Sequence, residues 1–82
     1  MTPAEIKERV VHELVTIAPE ADPATIAPSV PLREQLDLDS FDFLHLVIAL
    51  HDALGVEMPE SDYAQLAKLE GAVAYLAARI GG

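Results

Sequence analysis

Apolar residues recur along the chain at the three- and four-residue spacing that gathers them on one face of an α-helix. This spacing predicts three main helices: one over residues 3–17, one from Asp39 or Ser40 to Gly55, and one over about residues 69–80. Each stripe is expected to face a common core. The stripe of the first helix consists of Ile6, Val10, Leu14 and Ile17, and that of the third helix consists of Leu69, Val73, Leu76 and Ile80. The stripe of the second helix consists of Leu44, Val47, Leu50 and Leu54, with Leu46 beside them.

Residues near the helix ends support these boundaries. Thr2 and Glu5 have the spacing of a capping box, with a proline at the first helical position between them. Gly55 is a good terminating residue because glycine tolerates left-handed backbone angles. Phe43 and Ile48 fall outside the stripe of the second helix, so both are predicted to lie off its core face.

The segment between the first two helices contains four prolines within residues 19–38, which disfavours a long regular element. Apolar residues are spread through this segment, so we expect a long loop that packs over the core, with a single helical turn at residues 32–36. Further along, the polar residues 60–62 are start signals for a short helix that ends near Ala67.

These elements predict an all-α fold, a small antiparallel four-helix bundle made of three main helices and one short helix, with a long loop between helices one and two. The length of 82 residues predicts a single domain over residues 1–82. The chain has no cysteine, so its stability must come from apolar packing, for which a hydrophobic content of 51% supplies the material.

The chain is strongly acidic, with fourteen acids against five bases and a formal net charge of −9. This balance argues against nucleic acid and anionic membrane surfaces as partners, and it favours a basic patch on another protein. No apolar run approaches the ~20 residues needed to cross a bilayer, so no membrane insertion is expected. The first residues lack the basic and apolar regions of a signal peptide. We therefore expect a cytoplasmic protein, and we expect it to be a monomer.

The start of the second helix carries the main chemical clue. Asp39 can cap the helix, which puts Ser40 at the first helical position, exposed at one end of the bundle. The free N–H groups and the positive end of the helix dipole favour an anion there, such as a phosphodiester on Ser40. The simpler alternative is that Asp39 and Ser40 only cap the helix, and that Leu38 and Phe43 form a hydrophobic staple across the cap.

Acidic residues are concentrated around this position. Between Arg33 and Lys68 the chain has no lysine or arginine, whereas eight acids lie in the same stretch. Such a field would steer a basic partner toward Ser40. A charge run of this kind can also be merely a solvated face of the protein.

The stretch Leu36–Pro59 resembles the core of acyl carrier proteins. Its features are a short acidic approach, Asp39 followed by Ser40, an apolar residue and a second aspartate, and then an apolar-rich recognition helix. Family members continue with a glycine, an aliphatic–acid–aliphatic run and a proline, which residues 55–59 match. Residues 72–76 are similar to part of the family's last helix, so the resemblance spans nearly the whole chain.

The resemblance implies that Ser40 carries 4′-phosphopantetheine, transferred from coenzyme A by a phosphopantetheinyl transferase with Mg²⁺. The terminal thiol of this arm would hold acyl groups as thioesters and deliver them to acyl-loading and acyl-transfer enzymes with basic patches, in fatty-acid, lipid or related biosynthesis. The chain would be a carrier and not an enzyme. Residues that the resemblance implies in partner recognition are Asp39, Phe41, Asp42, His45 and Ile48.

Several positions depart from the usual pattern of fatty-acid carriers. Phe41 replaces a common leucine, Asp37 a common glycine, and His45 and His51 replace glutamates, while Lys68 stands where a capping Thr or Ser is common. The Asp-Ser-Phe sequence is also similar to D-alanyl carrier proteins. We therefore expect a specialised acyl carrier. A D-alanyl, aminoacyl or peptidyl carrier and a helical interaction domain without a prosthetic group remain alternatives.

Two other classes of site fit the sequence poorly. A calcium-binding EF-hand loop that began at Asp37 would need glycine at its sixth position and glutamate at its twelfth, where the chain has Asp42 and Ile48. A hydrolase would need a base beside Ser40, but His45 is predicted on a different face of the helix. The three histidines lack the i, i+4 spacing of a helical metal site, so no metal site is expected.

Overall fold

The computed structural model describes residues 1–80, and in that range it contains helices and no strand. The main helices are α1, α3 and α4, and α2 is a single turn. A 3₁₀ helix lies between α3 and α4, and a short 3₁₀ turn precedes α2. Their bounds in chain order are Pro3–Ile17 (α1), Pro23–Thr25 (the 3₁₀ turn), Leu32–Gln35 (α2), Ser40–Leu54 (α3), Glu60–Leu66 (the 3₁₀ helix) and Leu69–Ile80 (α4). The predicted all-α bundle is confirmed; Gly81 and Gly82 lie outside the described residues.

Local capping explains why the predicted helix ends are correct. The Thr2 hydroxyl accepts a hydrogen bond from the Glu5 N–H at 3.2 Å, and the Glu5 carboxylate accepts one from the Thr2 N–H at 2.8 Å. The main-chain N–H of Thr2, which donates to the Glu5 carboxylate, is the largest cause of the lowered pKa of the Glu5 carboxyl. At the end of α3, Gly55 adopts a left-handed φ of 68°, and its N–H bonds the His51 carbonyl.

The core is formed mainly by α1, α3 and α4. The face of α3 that packs against it differs from the predicted one. Phe43 is buried, with 9% of its surface exposed, whereas Leu44 is 39% exposed. Phe43 packs edge-on against Tyr63 of the 3₁₀ helix, with ring centroids 5.9 Å apart. The reason for the error is that α3 is apolar on most of its sides, so spacing alone does not select the buried face.

The predicted face of α4 packs against the core. Leu69 and Leu76 are buried, and Val73 and Ile80 are half-buried and pack against the core at its edge. The buried face is completed by Ala72 and Tyr75.

The long loop is ordered by side-chain and main-chain hydrogen bonds. The Gln35 side-chain amide donates to the carbonyls of Ala27 and Val30, at 2.8 and 2.9 Å, and its oxygen accepts the Ala27 N–H at 2.9 Å. The carbonyl of Pro28 accepts the N–H of Glu70 at 3.1 Å, in the first turn of α4. The loop carbonyl thus replaces a side-chain cap at this helix start, where the sequence has a lysine in place of Thr or Ser.

A polar cluster ties the 3₁₀ helix to α4. The Asp62 carboxylate accepts hydrogen bonds from the Tyr75 hydroxyl at 2.7 Å and from the Arg79 guanidinium at 3.0 Å. The bond to Asp62 is the main reason why the pKa of the Tyr75 phenol is raised. The two elements also approach closely at Gly71, where a Cβ would lie 2.6 Å from the Gln65 carbonyl oxygen. The 3₁₀ helix is therefore held in place against the bundle.

Candidate functional site

Ser40 is the first residue of α3 and lies at the surface. In residues 1–80 no side-chain hydrogen bond engages its hydroxyl. The first main-chain bond at this helix start joins the Phe43 N–H to the Asp39 carbonyl at 3.0 Å, so the N–H groups of Ser40 and Phe41 precede the helical ladder. The serine oxygen is thus accessible at a helix start whose main chain presents hydrogen-bond donors.

Asp39 and Asp42 hold this helix start together. The Asp39 carboxylate accepts the Asp42 N–H at 2.8 Å, and the Asp42 carboxylate accepts the Asp39 N–H at 3.2 Å. This reciprocal pair is a capping box with aspartate in both positions. Asp39 is exposed and Asp42 half-buried, so both predicted recognition acids have a structural role in addition to their charge.

A groove of about 510 Å³ opens beside Ser40. Phe43 and Leu44 of α3 form one wall, and Tyr63 and Ala64 of the 3₁₀ helix belong to the other. Arg33 of α2 and Glu60 at the start of the 3₁₀ helix also line it. The groove combines apolar walls with charged groups of both signs at the serine.

A stripe of exposed apolar side chains runs along α3 from the serine. Phe41 is 72% exposed and Ile48 49%, and Leu44 lies between them on the same face of the helix. His45 is exposed as well. We call Phe41, Leu44 and Ile48 the α3 stripe. The sequence predicts that Phe41 and Ile48 are recognition residues, but its apolar spacing places Leu44 in the core, and this is wrong.

The two histidines of α3 have different environments. His45 is exposed, and among residues 1–80 no side-chain hydrogen bond engages it. His51 in the last turn has its Nδ1 atom 2.9 Å from the Val56 carbonyl oxygen. This bond supports the turn after the helix, so His51 has a structural role. The sequence alone, in which His51 stands where fatty-acid carriers often have glutamate, does not predict that role.

Asp37 has a positive φ of 52°, the left-handed region that glycine occupies most easily. Fatty-acid carriers commonly have glycine at this position, and glycine adopts this conformation without strain. Aspartate is among the other residues that tolerate it. The turn at Asp37 is part of the approach to the start of α3.

Two other kinds of feature are absent from residues 1–80. No group of three or more His, Cys, Asp or Glu side chains there is arranged to hold a metal ion. No described helix has the length and apolarity required for a membrane span.

Comparison with known proteins identifies relatives over nearly the whole chain. The model of the phosphopantetheine attachment site family matches residues 8–76. The acyl carrier protein of Campylobacter lari is 33% identical over 72 residues, which cover 88% of this chain and 87% of that protein. The acyl carrier protein of Thermosynechococcus vestitus is 29% identical, and the match covers 93% of this chain and 93% of that protein. The acyl carrier protein of Rubrobacter xylanophilus is 27% identical, and the match covers 85% of this chain and 90% of that protein. The prosthetic group of such a domain is 4′-phosphopantetheine. Because the attachment-site model matches most of the chain and an acyl carrier protein is 33% identical to it, this chain belongs to the acyl carrier protein family.

Proposed function

We propose that Ser40 carries the 4′-phosphopantetheine group and that the chain presents acyl groups to partner enzymes from this position. The observation that carries the proposal is the accessible Ser40 hydroxyl at the first position of α3, beside an open groove. Ser29 and Ser61 are also exposed, but they lie in the long loop and in the 3₁₀ helix, not at the start of a long helix.

The residues around Ser40 fit such a group. The serine oxygen is accessible for a phosphate ester, and Arg33 in the same groove supplies a positive charge. The group supplies a terminal thiol that holds acyl groups as thioesters. The protein's own contribution is to expose Ser40, to fix its direction through the Asp39–Asp42 capping box, and to offer apolar walls beside it. These are the tasks of a carrier, and we propose that the chain has no catalytic activity of its own.

The partners we propose are a phosphopantetheinyl transferase, which uses coenzyme A and Mg²⁺, and acyl-loading and acyl-transfer enzymes with basic patches. The α3 stripe would supply the apolar contact, and Asp39 with its neighbouring acids would supply steering. We propose that the carrier acts as a monomeric single domain in the cytoplasm. The exposed Phe41 and His45 make its recognition face bulkier and less acidic than that expected for fatty-acid carriers, which supports a specialised pathway.

Site-directed replacement tests the attachment residue. The wild type, Ser40→Ala and Ser61→Ala are each incubated with coenzyme A, Mg²⁺ and a broad-specificity transferase, and intact mass is measured. We expect one phosphopantetheinyl group on the wild type and on Ser61→Ala, and none on Ser40→Ala. Circular dichroism of Ser40→Ala checks that the variant is folded. Modification of folded Ser40→Ala would overturn the assignment, and so would an unmodified wild type.

A further inference from the structure

We propose that Arg33 is a positioning residue that binds the phosphate of the group on Ser40 and thereby fixes the first part of the arm. This inference rests on the proposed attachment at Ser40. It concerns a residue of the short helix α2, outside the recognition helix and outside the set of residues that the sequence singled out.

The position of Arg33 is the first observation. Its side chain lines the same groove as Ser40. Its Nε–H donates to the Leu38 carbonyl at 3.5 Å, which holds the guanidinium beside the main chain two residues before the serine. Within residues 1–80 the one ion pair joins Arg79 to Asp62, so the Arg33 guanidinium is not committed to a carboxylate. Its remaining N–H groups are available to a ligand in the groove.

The charge distribution is the second observation. Arg33 is the one lysine or arginine between Arg9 and Lys68 in the sequence. A phosphodiester on Ser40 would be close to the carboxylates of the capping box, and Glu60 lines the same groove, so like charges oppose the group. A guanidinium offsets this repulsion, and its planar set of donors suits phosphate oxygens better than a lysine ammonium does.

The experiment compares apo and holo forms of the wild type, Arg33→Gln, Arg33→Lys and Arg9→Gln. Arg9→Gln is the matched control, because it removes the same charge from an exposed position on α1 that does not line the groove. Mass spectrometric fragmentation first assigns the added group to Ser40. The ³¹P resonance of the phosphodiester and the ¹H–¹⁵N signal of the Arg33 Nε–H are then recorded at low and high salt.

We expect the Arg33 Nε–H signal to shift when the wild type is converted from apo to holo. The ³¹P resonance should be displaced in Arg33→Gln, partly restored in Arg33→Lys, and unchanged in Arg9→Gln. High salt should move the wild-type ³¹P resonance toward that of Arg33→Gln, because ions screen the contact. Equal ³¹P resonances in the wild type and Arg33→Gln, with an Nε–H signal that does not respond to modification, would overturn the role of Arg33 alone. A group found on a residue other than Ser40 would overturn both this inference and the proposed function.

Discussion

At the scale of single residues, charged side chains of the site also stabilise the fold. Asp39 is exposed near the proposed attachment serine, which suits steering of a basic partner, and its carboxylate also caps α3. Charge reversal at this position would break the cap and change recognition at the same time. Replacement by asparagine separates the two effects, because asparagine caps helices about as well as aspartate.

Asp39→Asn should keep the stability of the wild type, whereas Asp39→Ala should lose about 1 kcal/mol of unfolding free energy with the cap. Both variants should be modified more slowly by the transferase at low salt, and the difference from the wild type should shrink as salt rises. Urea denaturation and the rate of mass gain measure the two quantities.

The matched control is Asp22→Asn. Asp22 also caps a helical turn, through the Ala24 N–H at 3.0 Å, but it lies in the loop before α2. This variant should be modified at the wild-type rate. A low-salt rate for Asp39→Asn equal to that of the wild type would contradict a steering role for the charge.

At the scale of elements, α3 combines a buried face with an exposed recognition face. The exposed face carries the α3 stripe and His45, whereas His51 contributes to the turn that follows the helix. The specialised pathway proposed for this carrier should therefore depend on His45. A double replacement that included His51 would also disturb the turn after α3.

His45→Glu should increase kcat/KM with a malonyl-loading enzyme of fatty-acid synthesis at low salt, because an added rim charge mainly raises the association rate with a basic patch. The control is His12→Glu, the same change at an exposed position on α1, which should have a much smaller effect. Steady-state assays of holo-protein give both values. Equal kcat/KM for His45→Glu and the wild type would assign the specificity to Phe41 or to the loop instead.

The 3₁₀ helix is the second element that defines the site, because it forms a wall of the groove and is held to α4 by Asp62 and Tyr75. The folded-state pKa of Tyr75 is raised above its ordinary value of 10.0. The bond therefore contributes stability below pH 10, and that contribution is lost as pH rises through the raised pKa.

Tyr75→Phe should lower the melting temperature at neutral pH, and its difference from the wild type should shrink above pH 10. Thermal denaturation monitored by circular dichroism across this range measures the effect. Tyr63→Phe is the control, because no side-chain hydrogen bond engages the Tyr63 hydroxyl in residues 1–80. A Tyr75→Phe difference that stays constant above pH 10 would contradict the role of the phenol proton.

At the scale of the whole molecule, the sequence predicted local features better than long-range ones. Helix bounds depend on caps and terminators within a few residues, such as Thr2 and Gly55, and these predictions are confirmed. The buried face of α3 depends on which neighbour covers it. The contact between Phe43 and Tyr63 joins residues far apart in the sequence, and the spacing of apolar residues within one helix does not contain that information.

The same distinction applies to the site. The position of Ser40 at the start of α3 followed from its neighbours, and the structure has it there. The groove could not be predicted from the sequence, because it forms only when the 3₁₀ helix packs beside α3. The placement of Arg33 in that groove depends on the long loop, which is ordered by the contacts of Gln35 with Ala27 and Val30. None of these contacts has a periodic signature in the sequence.

Fragmentation of the intact acylated protein by mass spectrometry is the decisive test of whether Ser40 carries acyl thioesters. The wild type is incubated with an acyl-coenzyme A, Mg²⁺ and a broad-specificity transferase, and the products are fragmented before and after hydroxylamine treatment. We predict one acyl-phosphopantetheinyl group on Ser40, from which hydroxylamine removes the acyl part and leaves the arm. A group on any other residue, or an acyl part that hydroxylamine does not remove, would contradict the claim that this chain carries acyl thioesters at Ser40.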